Sequence, residues 1–504
     1  MKKKHKIFIA AGILFFLLIG GLLYLNTFLK NEIKQGLENE YSSSALSYDE
    51  ISVNAFAGNA TIKNVKFHEG ILSLESEEVN LKDFSYSDYL ENKNLTIGGI
   101  HFINPSIVLN RSDTIAAKDV SEKERSKQIK IKSFTVTGGN LRIIDNDSAA
   151  NSLYASINNL HIEQIEIGKK HSGGLLPFEY QNIDILSDSV YYEMNETHYM
   201  QAGELRFENE DLNIGDLSII PKYSKESFDK LIPYEQDWIA LKVESISLSG
   251  VKFGKDEEIT VLEIPTTTIN KAHLEIYRNK LLPDDTRIKP MYSEMLRNIG
   301  FQLHIGSLNI SNSYIEYQEK VLETRPAGEL NFHNVKAEIT NISNRNMDSQ
   351  DFSPTVVRAN ALFMGESKLS LDWRFDVSNE RDEFQIKGSL DGIRAEHINS
   401  FLTPAMNIEA EGDIQSLFYD FYGNRNQANG NMQLSYKDFN VKILKDGEDK
   451  SKSLLSKLAN LVIKNDRINE DVKQENINTT RDKTKSFWNF FWLCIRDGAL
   501  STFF

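Results

Sequence analysis

Residues 131–143 read IKSFTVTGGNLRI, residues 305–317 read IGSLNISNSYIEY, and residues 97–109 read IGGIHFINPSIVL. Laid over one another they follow one template: apolar, two spacers, apolar, spacer, apolar, spacer, Gly or Asn, two spacers, apolar, spacer, apolar. Apolar residues alternating with polar ones mark strands with one wet and one apolar face. Gly138, Asn104 and Asn312 share the same template place, and both residue types tolerate the positive φ of tight reversals. Each copy is therefore predicted to be one hairpin. Val243 to Phe253 keeps the first half of the pattern, one residue shorter, and residues 53–67, VNAFAGNATIKNVKF, put a Gly-Asn turn between alternating runs. Such degenerate repetition points to a quasi-one-dimensional β architecture.

The same alternation fills residues 48–445, in runs such as ATIKNVKF, GELRFENEDLNI, SKLSLDWRFDV and NMQLSYKDFNVKIL. Helical patterns are scarce there; KPMYSEMLRNI (289–299), after the Pro283-Asp284-Asp285 turn, is the best short helix. Beyond the charged stretch KDGEDKSK, Leu454, Leu455, Leu458, Leu461 and Val462 recur at helical spacing, and Asn465 to Thr484 is polar enough to read as disordered. The chain ends on KSFWNFFWLCIRDGALSTFF, apolar around most of a helix. Phe487, Trp488, Phe491 and Trp492 suit a membrane interface. The same helix could instead plug the end of the β-domain.

Ahead of all this, Lys2, Lys3, Lys4 and Lys6 precede 19 uncharged residues, Ile7 to Leu25. As a helix that run spans roughly 28 Å, close to a hydrocarbon core of ~30 Å. The lysines assign the N-terminus to the cytoplasm. A cleaved secretory signal is the competing reading, but the run exceeds a usual h-region and YLNTFLKNE offers no small-residue cleavage site. The predicted order is a basic tail (1–6), a transmembrane anchor (7–25), a helical extension (26–47), the β-domain (48–445), a helix and polar linker (446–484) and the aromatic tail (485–504).

With 504 residues the chain exceeds the ~250–300 at which single cores stop growing. A net charge of -15 argues against nucleic acid as a partner. The single cysteine, Cys494, permits no internal disulfide and no cysteine-cluster metal site; in an aromatic tail it should pack. The ten histidines form no HExxH, and there is no GxSxG, P-loop or dinucleotide fingerprint. The carboxylate pairs Glu77-Glu78, Glu257-Glu258 and Asp284-Asp285 fit solvated turns better than acid–base work. No enzyme activity and no cofactor is expected. The repeats themselves are left to carry the function, through an apolar face that a second sheet, a closed sheet or an apolar ligand must cover.

Four stretches resemble the AsmA-like superfamily, which is related to TamB and to the bridge-like lipid-transfer proteins. They are the lysine-flanked anchor with ISVNAFAGNATIKNVKF and LTIGGIHFINPSIVLN, the central EIYRNKLLPDDTRIKPMYSEMLRNIGFQLHIGSLNISNSYIEYQE, the later INSFLTPAMNIEAEGDIQSLFYDFYGNRNQANGNMQLSYKDFNVKIL, and the tail KSFWNFFWLCIRDGAL. The central stretch is similar to that of Bacteroidetes-type members. The resemblance implies a mainly β fold: an elongated, curled antiparallel sheet forming a groove, with an N-terminal transmembrane helix and short C-terminal helices. It implies a single-pass inner-membrane protein with a periplasmic body and phospholipids as ligands, and outer-membrane or envelope proteins as further partners. A periplasmic scaffold for outer-membrane protein assembly is the alternative. On the groove reading Ile100, Phe102, Ile107, Leu109, Phe134, Val136, Leu141, Ile143, Ile246, Leu248, Leu308, Ile310 and Ile315 line the apolar face.

Overall fold

The computed structural model describes residues 23–39, 41–92, 94–111, 129–145, 152–167, 178–256, 259–444 and 473–503. Residues 7–22 of the predicted anchor and the helix predicted around Leu454–Val462 lie outside these. Among the described residues no helix is long and apolar enough to cross a membrane. The chain is mainly β and divides into two compact units, Met1–Leu212 and Asn213–Phe504.

The described residues of the first unit begin with a helix, α1 (residues 23–39), which takes in the first part of the predicted 26–47 extension; the rest of that extension is not helical, since residues 41–45 turn and Leu46–Ser47 form a strand that pairs with the sheet. Its strands are β1 (Leu46–Ser47), β2 (Glu50–Asn54), β3 (Asn59–Glu69), β4 (Leu72–Phe84), β5 (Leu95–Ile103), β6 (Ser106–Arg111), β7 (Ile129–Asp145), β8 (Leu153–Ile167), β9 (Asn182–Ser187), β10 (Val190–Glu193), β11 (His198–Ala202) and β12 (Leu205–Glu208), with α2 (Tyr86–Asn92) between β4 and β5. β2, β3 and β4 are antiparallel neighbours. β5 and β6 follow one another along the same side of β4, and both then pair with β7 in parallel. β8 continues the sheet antiparallel to β7.

In the second unit β13 (Asp211–Pro221) and α3 (Lys225–Leu231) precede β14 (Asp237–Ser249), β15 (Lys252–Asp256) and β16 (Ile259–Asn279). α4 (Tyr292–Arg297) falls inside the predicted 289–299 helix. There follow β17 (Gln302–Lys320), β18 (Gly328–Ser343), β19 (Thr355–Phe363), β20 (Ser367–Phe375), β21 (Phe384–Arg394), α5 (Ala395–Met406), β22 (Ile408–Gly423), β23 (Gln427–Ile443), β24 (Lys473–Thr480) and a tail helix (Phe487–Phe503). β14 and β15 both run antiparallel to β16, β16 is parallel to β17, and from β17 to β24 each strand is antiparallel to the next.

Three further expectations need correction. The sheets are mixed, because a parallel joint sits in each unit, between β5/β6 and β7 and between β16 and β17. A parallel pair needs a crossover rather than a tight turn, and the β16–β17 crossover is the segment that holds α4. Secondly, no template copy is a hairpin. Residues 131–143 lie inside β7 and 305–317 inside β17, while 97–109 is the collinear pair β5/β6. The Gly or Asn place is occupied by a residue in the left-handed region, Asn104 (φ 47°), Gly138 (φ 71°) or Asn312 (φ 52°), which bends the strand without reversing it. At Gly138 a Cβ would stand 2.3 Å from Asn104 Oδ1, so a larger residue there would have to displace that amide. Lastly, part of the supposedly disordered stretch is β24, whose backbone completes a ladder with β23 from Gln427↔Thr480 to Leu434↔Lys473.

Candidate functional site

The parallel joints place template copies side by side in register. Ile100 pairs with Phe134, Phe102 with Val136, Ile107 with Leu141 and Leu109 with Ile143. Side chains opposite one another in a ladder point to the same face, so these pairs extend into apolar rows. One row runs Ile62, Val79, Phe102, Val136, Leu160, Ile185. Its neighbour runs Ala60, Leu81, Ile100, Phe134, Ile162, Ile183. Phe102 and Phe134 hold a ring contact at 5.6 Å. Beyond the left-handed residues a further row joins Phe67, Leu74, Ile107, Leu141, Ala155 and Val190. Between these rows Asn104 and Gly138 form a polar crease, where Asn104 Nδ2 donates to Glu77 Oε2 at 2.6 Å.

In the second unit β17 lies parallel to β16, and the pairing exposes a copy of the template that the residue types concealed. Ile264, Ile269, Leu274 and Ile276 stand opposite Ile305, Ile310, Ile315 and Tyr317. Thr267 takes an apolar place opposite Leu308, and Lys271 takes the Gly/Asn place with φ 52°. Lys271 Nζ donates to Glu244 Oε2 at 2.7 Å, closing the crease on that side. A single cross-strand row then runs Leu248, Thr267, Leu308, Ile339, Val357, Trp373, Ile386, Phe421. The adjacent row holds Ile246, Ile269, Ile310, Ala337, Ala359 and Leu371.

One end of that face is roofed. Trp373, Ile386, Phe421, Met432 and Ile477 form a core with Met291 and with Phe487, Phe490 and Cys494 of the tail helix. Phe487 stacks on Trp373 at 4.6 Å and meets Phe384 edge-on at 5.2 Å. The four proposed interface residues are therefore split. Phe487 is 2% exposed and committed to the sheet, and Phe491 packs against the same core. Trp488 (47%) and Trp492 (38%) face outward, Trp488 Nε1 donating to Tyr292 Oη at 3.0 Å. Cys494 packs, as its setting suggested, and burial pushes its thiol up to about 12.

Towards β14–β17 the rows are not sealed in this way. Of the thirteen groove residues, Val136 is buried at 2% exposure and the others are half-buried, Ile100 and Phe134 among them packing against the buried Ile131, Ile162 and Ile165. The template residues are thus brought together within each unit, as two faces of ordered apolar rows. No group of three or more His, Cys, Asp or Glu that could hold a metal ion occurs among the described residues.

A polar clamp fixes the roof at its base. Lys485 Nζ donates to Glu235 Oε1 at 2.5 Å and to Asp284 Oδ1 at 2.7 Å, and Lys280 Nζ donates to Glu235 Oε2 at 2.6 Å. Burial would raise the pKa of Glu235, but the two ammonium groups outweigh it and hold the carboxyl below its usual range. The Pro283-Asp284-Asp285 turn, read from sequence as solvated charge, is part of this anchorage. No family model matches the chain, and no curated protein does.

Proposed function

We propose that the protein binds lipid acyl chains on its apolar β-rows and shields them from water, as an envelope lipid-binding or lipid-transfer protein. Exposing acyl chain costs ~0.8 kcal/mol per CH₂, so a chain of about 15 methylenes costs roughly 12 kcal/mol in water. A protein that carries such a chain needs an extended apolar surface and no covalent chemistry. The observation that carries the reading is the Leu248–Thr267–Leu308–Ile339–Val357–Trp373 row, one continuous line that is roofed at Trp373 and half-buried at Leu248, Leu308, Ile339 and Val357, with Thr267 buried between Leu248 and Leu308. On this reading the rows line a long curled groove of the AsmA-like kind, and the lysine-flanked run Ile7–Leu25 anchors the chain in the inner membrane with its body in the periplasm.

The test is native mass spectrometry of the full chain after extraction in mild detergent. Co-purifying phospholipid that is lost from Leu308→Arg supports the proposal. A lipid-free protein, or lipid retained equally by Leu308→Arg, refutes it; a lipid-free protein that captures unfolded outer-membrane strands would support the scaffold reading instead.

A further inference from the structure

The strands that carry the roofed core turn a different surface outward. In β20–β24 the residues that alternate with Trp373, Ile386, Phe421 and Ile477 form cross-strand rows on the opposite face of the sheet. One row runs Arg374, Gln385, Tyr422, Asn429, Asn478, and the next runs Asp372, Lys387, Asp420, Asn431, Asn476. In a third, Phe418 stands between Ser389 and Gln433.

Two large rings project from this face. Tyr422 is 56% exposed and Phe418 is 47% exposed, and their separation of four residues along β22 sets them about 13 Å apart. Asp420 lies between them, accepting from Gln385 Nε2 at 2.8 Å and standing 3.5 Å from Lys387 Nζ. The rings are thus separate platforms in a polar setting, unlike the contiguous apolar patch of a protein interface. Asn429 and Asn478 face one another in the ladder, as do Asn431 and Asn476, yet among the described residues no hydrogen bond engages these four side-chain amides. Each amide offers a donor and an acceptor together. In the rows Arg374 and Lys387 are matched by Asp372 and Asp420, so the face carries no excess charge to attract a polyanion. Where the first row meets the turns 376–383 and 424–426, an open cleft of about 650 Å³ is lined by Arg374, Gln385, Tyr422, Gln427 and Asn429 among others.

We propose that this face binds a neutral, β-linked polysaccharide lying along β22. A sugar ring has an apolar C–H face and a rim of hydroxyls, each of them both donor and acceptor. Tyr422 and Phe418 supply flat surfaces for two such faces, while Asn429 and Asn431 on the neighbouring strand meet the rims between them. An extended chain suits a sheet surface, and the cleft beside Tyr422 seats one end of it. Each hydroxyl contact replaces one with water and contributes little by itself, so binding depends on several places being engaged at once. The proposal does not rest on the acyl-chain reading, because the two sets of rows occupy opposite faces of the sheet.

The experiment is calorimetric titration of the full chain, in a mild detergent without a sugar headgroup, with cellohexaose and with chitohexaose, heparin serving as a polyanionic probe. Saturable binding of at least one hexasaccharide is expected, weakened about tenfold or more by Tyr422→Ala and by Phe418→Ala and retained by Tyr422→Phe, which keeps the ring. Both rings are exposed, so thermal melting should stay as it is in these variants. Asn429→Ala/Asn431→Ala leaves the rings in place and should also weaken binding. Leu308→Arg should bind the sugar as the natural chain does, which separates failure of the acyl rows from failure of this face. Absence of binding by both hexasaccharides, binding unchanged in the ring variants, or heparin bound in preference to either sugar overturns the proposal.

Discussion

Phe490 and Trp488 lie two residues apart on the tail helix but face opposite environments, and replacing each with alanine separates a roof from a membrane anchor. Phe490 is 1% exposed and sits in the core with Trp373, Ile386 and Phe421, its ring 6.1 Å from that of Phe384. Phe490→Ala removes a fully buried ring and leaves a cavity, at a cost of about 3–5 kcal/mol. In a unit of this size that corresponds to a fall in melting temperature of roughly 10 °C. Trp488 is already 47% exposed, so Trp488→Ala forfeits edge contacts with Trp373, Phe487 and Phe491 and the bond to Tyr292 without emptying an enclosed site, about 2 kcal/mol. Thermal melting by circular dichroism measures both, and liposome co-sedimentation measures what the outward tryptophans do. The expectation is a large stability loss with Phe490→Ala, and a small one with Trp488→Ala/Trp492→Ala accompanied by weaker liposome binding. Deleting residues 485–504 should likewise unfold the second unit's core, contrary to what an interfacial tail alone implies. Unchanged melting of Phe490→Ala together with lost liposome binding would show that the helix leaves the sheet and that the roof assignment is wrong.

Val136→Arg and Leu308→Arg should diverge, although both residues hold template places. Val136 is buried, so an arginine there costs several kcal/mol and should prevent cooperative melting of the first unit, whereas half-buried Leu308 should cost about 1 kcal/mol because the long side chain can reach water; equal damage at the two sites would refute the distinction. Acid should loosen the clamp. The pKa of Glu235 is depressed in the folded state, so its contribution is present above the unfolded value near ~4.5 and is lost as pH falls through the folded value. Glu235→Gln should therefore lower stability at neutral pH and flatten the acid limb of a urea-denaturation series, and an unaltered limb would mean the clamp contributes nothing. Cys494, with its thiol raised to about 12, should resist maleimide at pH 8 in the folded protein and react promptly in urea; rapid labelling of the native chain would contradict its burial.

The strand content was legible because alternation records burial, which is local. What alternation does not record is the partner. In Asn104, Gly138 and Asn312 the sequence signals a left-handed residue, and that much is right; whether the chain then reverses or merely bends depends on the strands alongside, here β4 and β7 holding β5 and β6 in line. The copy in β16 was concealed because Lys271 has no intrinsic preference for φ 52° and Thr267 does not count as apolar. β24 was missed for a related reason. KQENINTT is polar, and its strand form comes from the ladder offered by β23, with Ile477 as its one large apolar contribution to the core. The tail's apolar faces were plain from its composition, but only the position of Trp373 and Phe384 decides which aromatic rings turn inward.

The bent strand also accounts for the template's odd spacing. Phe134 and Val136 are two residues apart, as are Leu141 and Ile143, but Val136 and Leu141 are five apart. In an uninterrupted strand an odd interval sends side chains to opposite faces. A left-handed bulge residue adds one position to the count and so restores the alternation to its original side. The spacing with Gly138 in the middle is therefore what one apolar face on both sides of a crease demands. Parallel, in-register pairing then repeats the same correction in the next strand, Asn104 beside Gly138 and Lys271 beside Asn312, so the bends align across the joint instead of opposing one another. The antiparallel neighbour makes the same correction with its own left-handed residue: Asn334 (φ 50°) in β18 falls at the register shift beside Asn312, and Ile310 still meets Ala337 while Ile315 meets Phe332. Selection for an apolar face that stays continuous while the sheet bends would preserve the spacing and the left-handed place and leave the rest of the residues free to drift, and that is the pattern the three copies display.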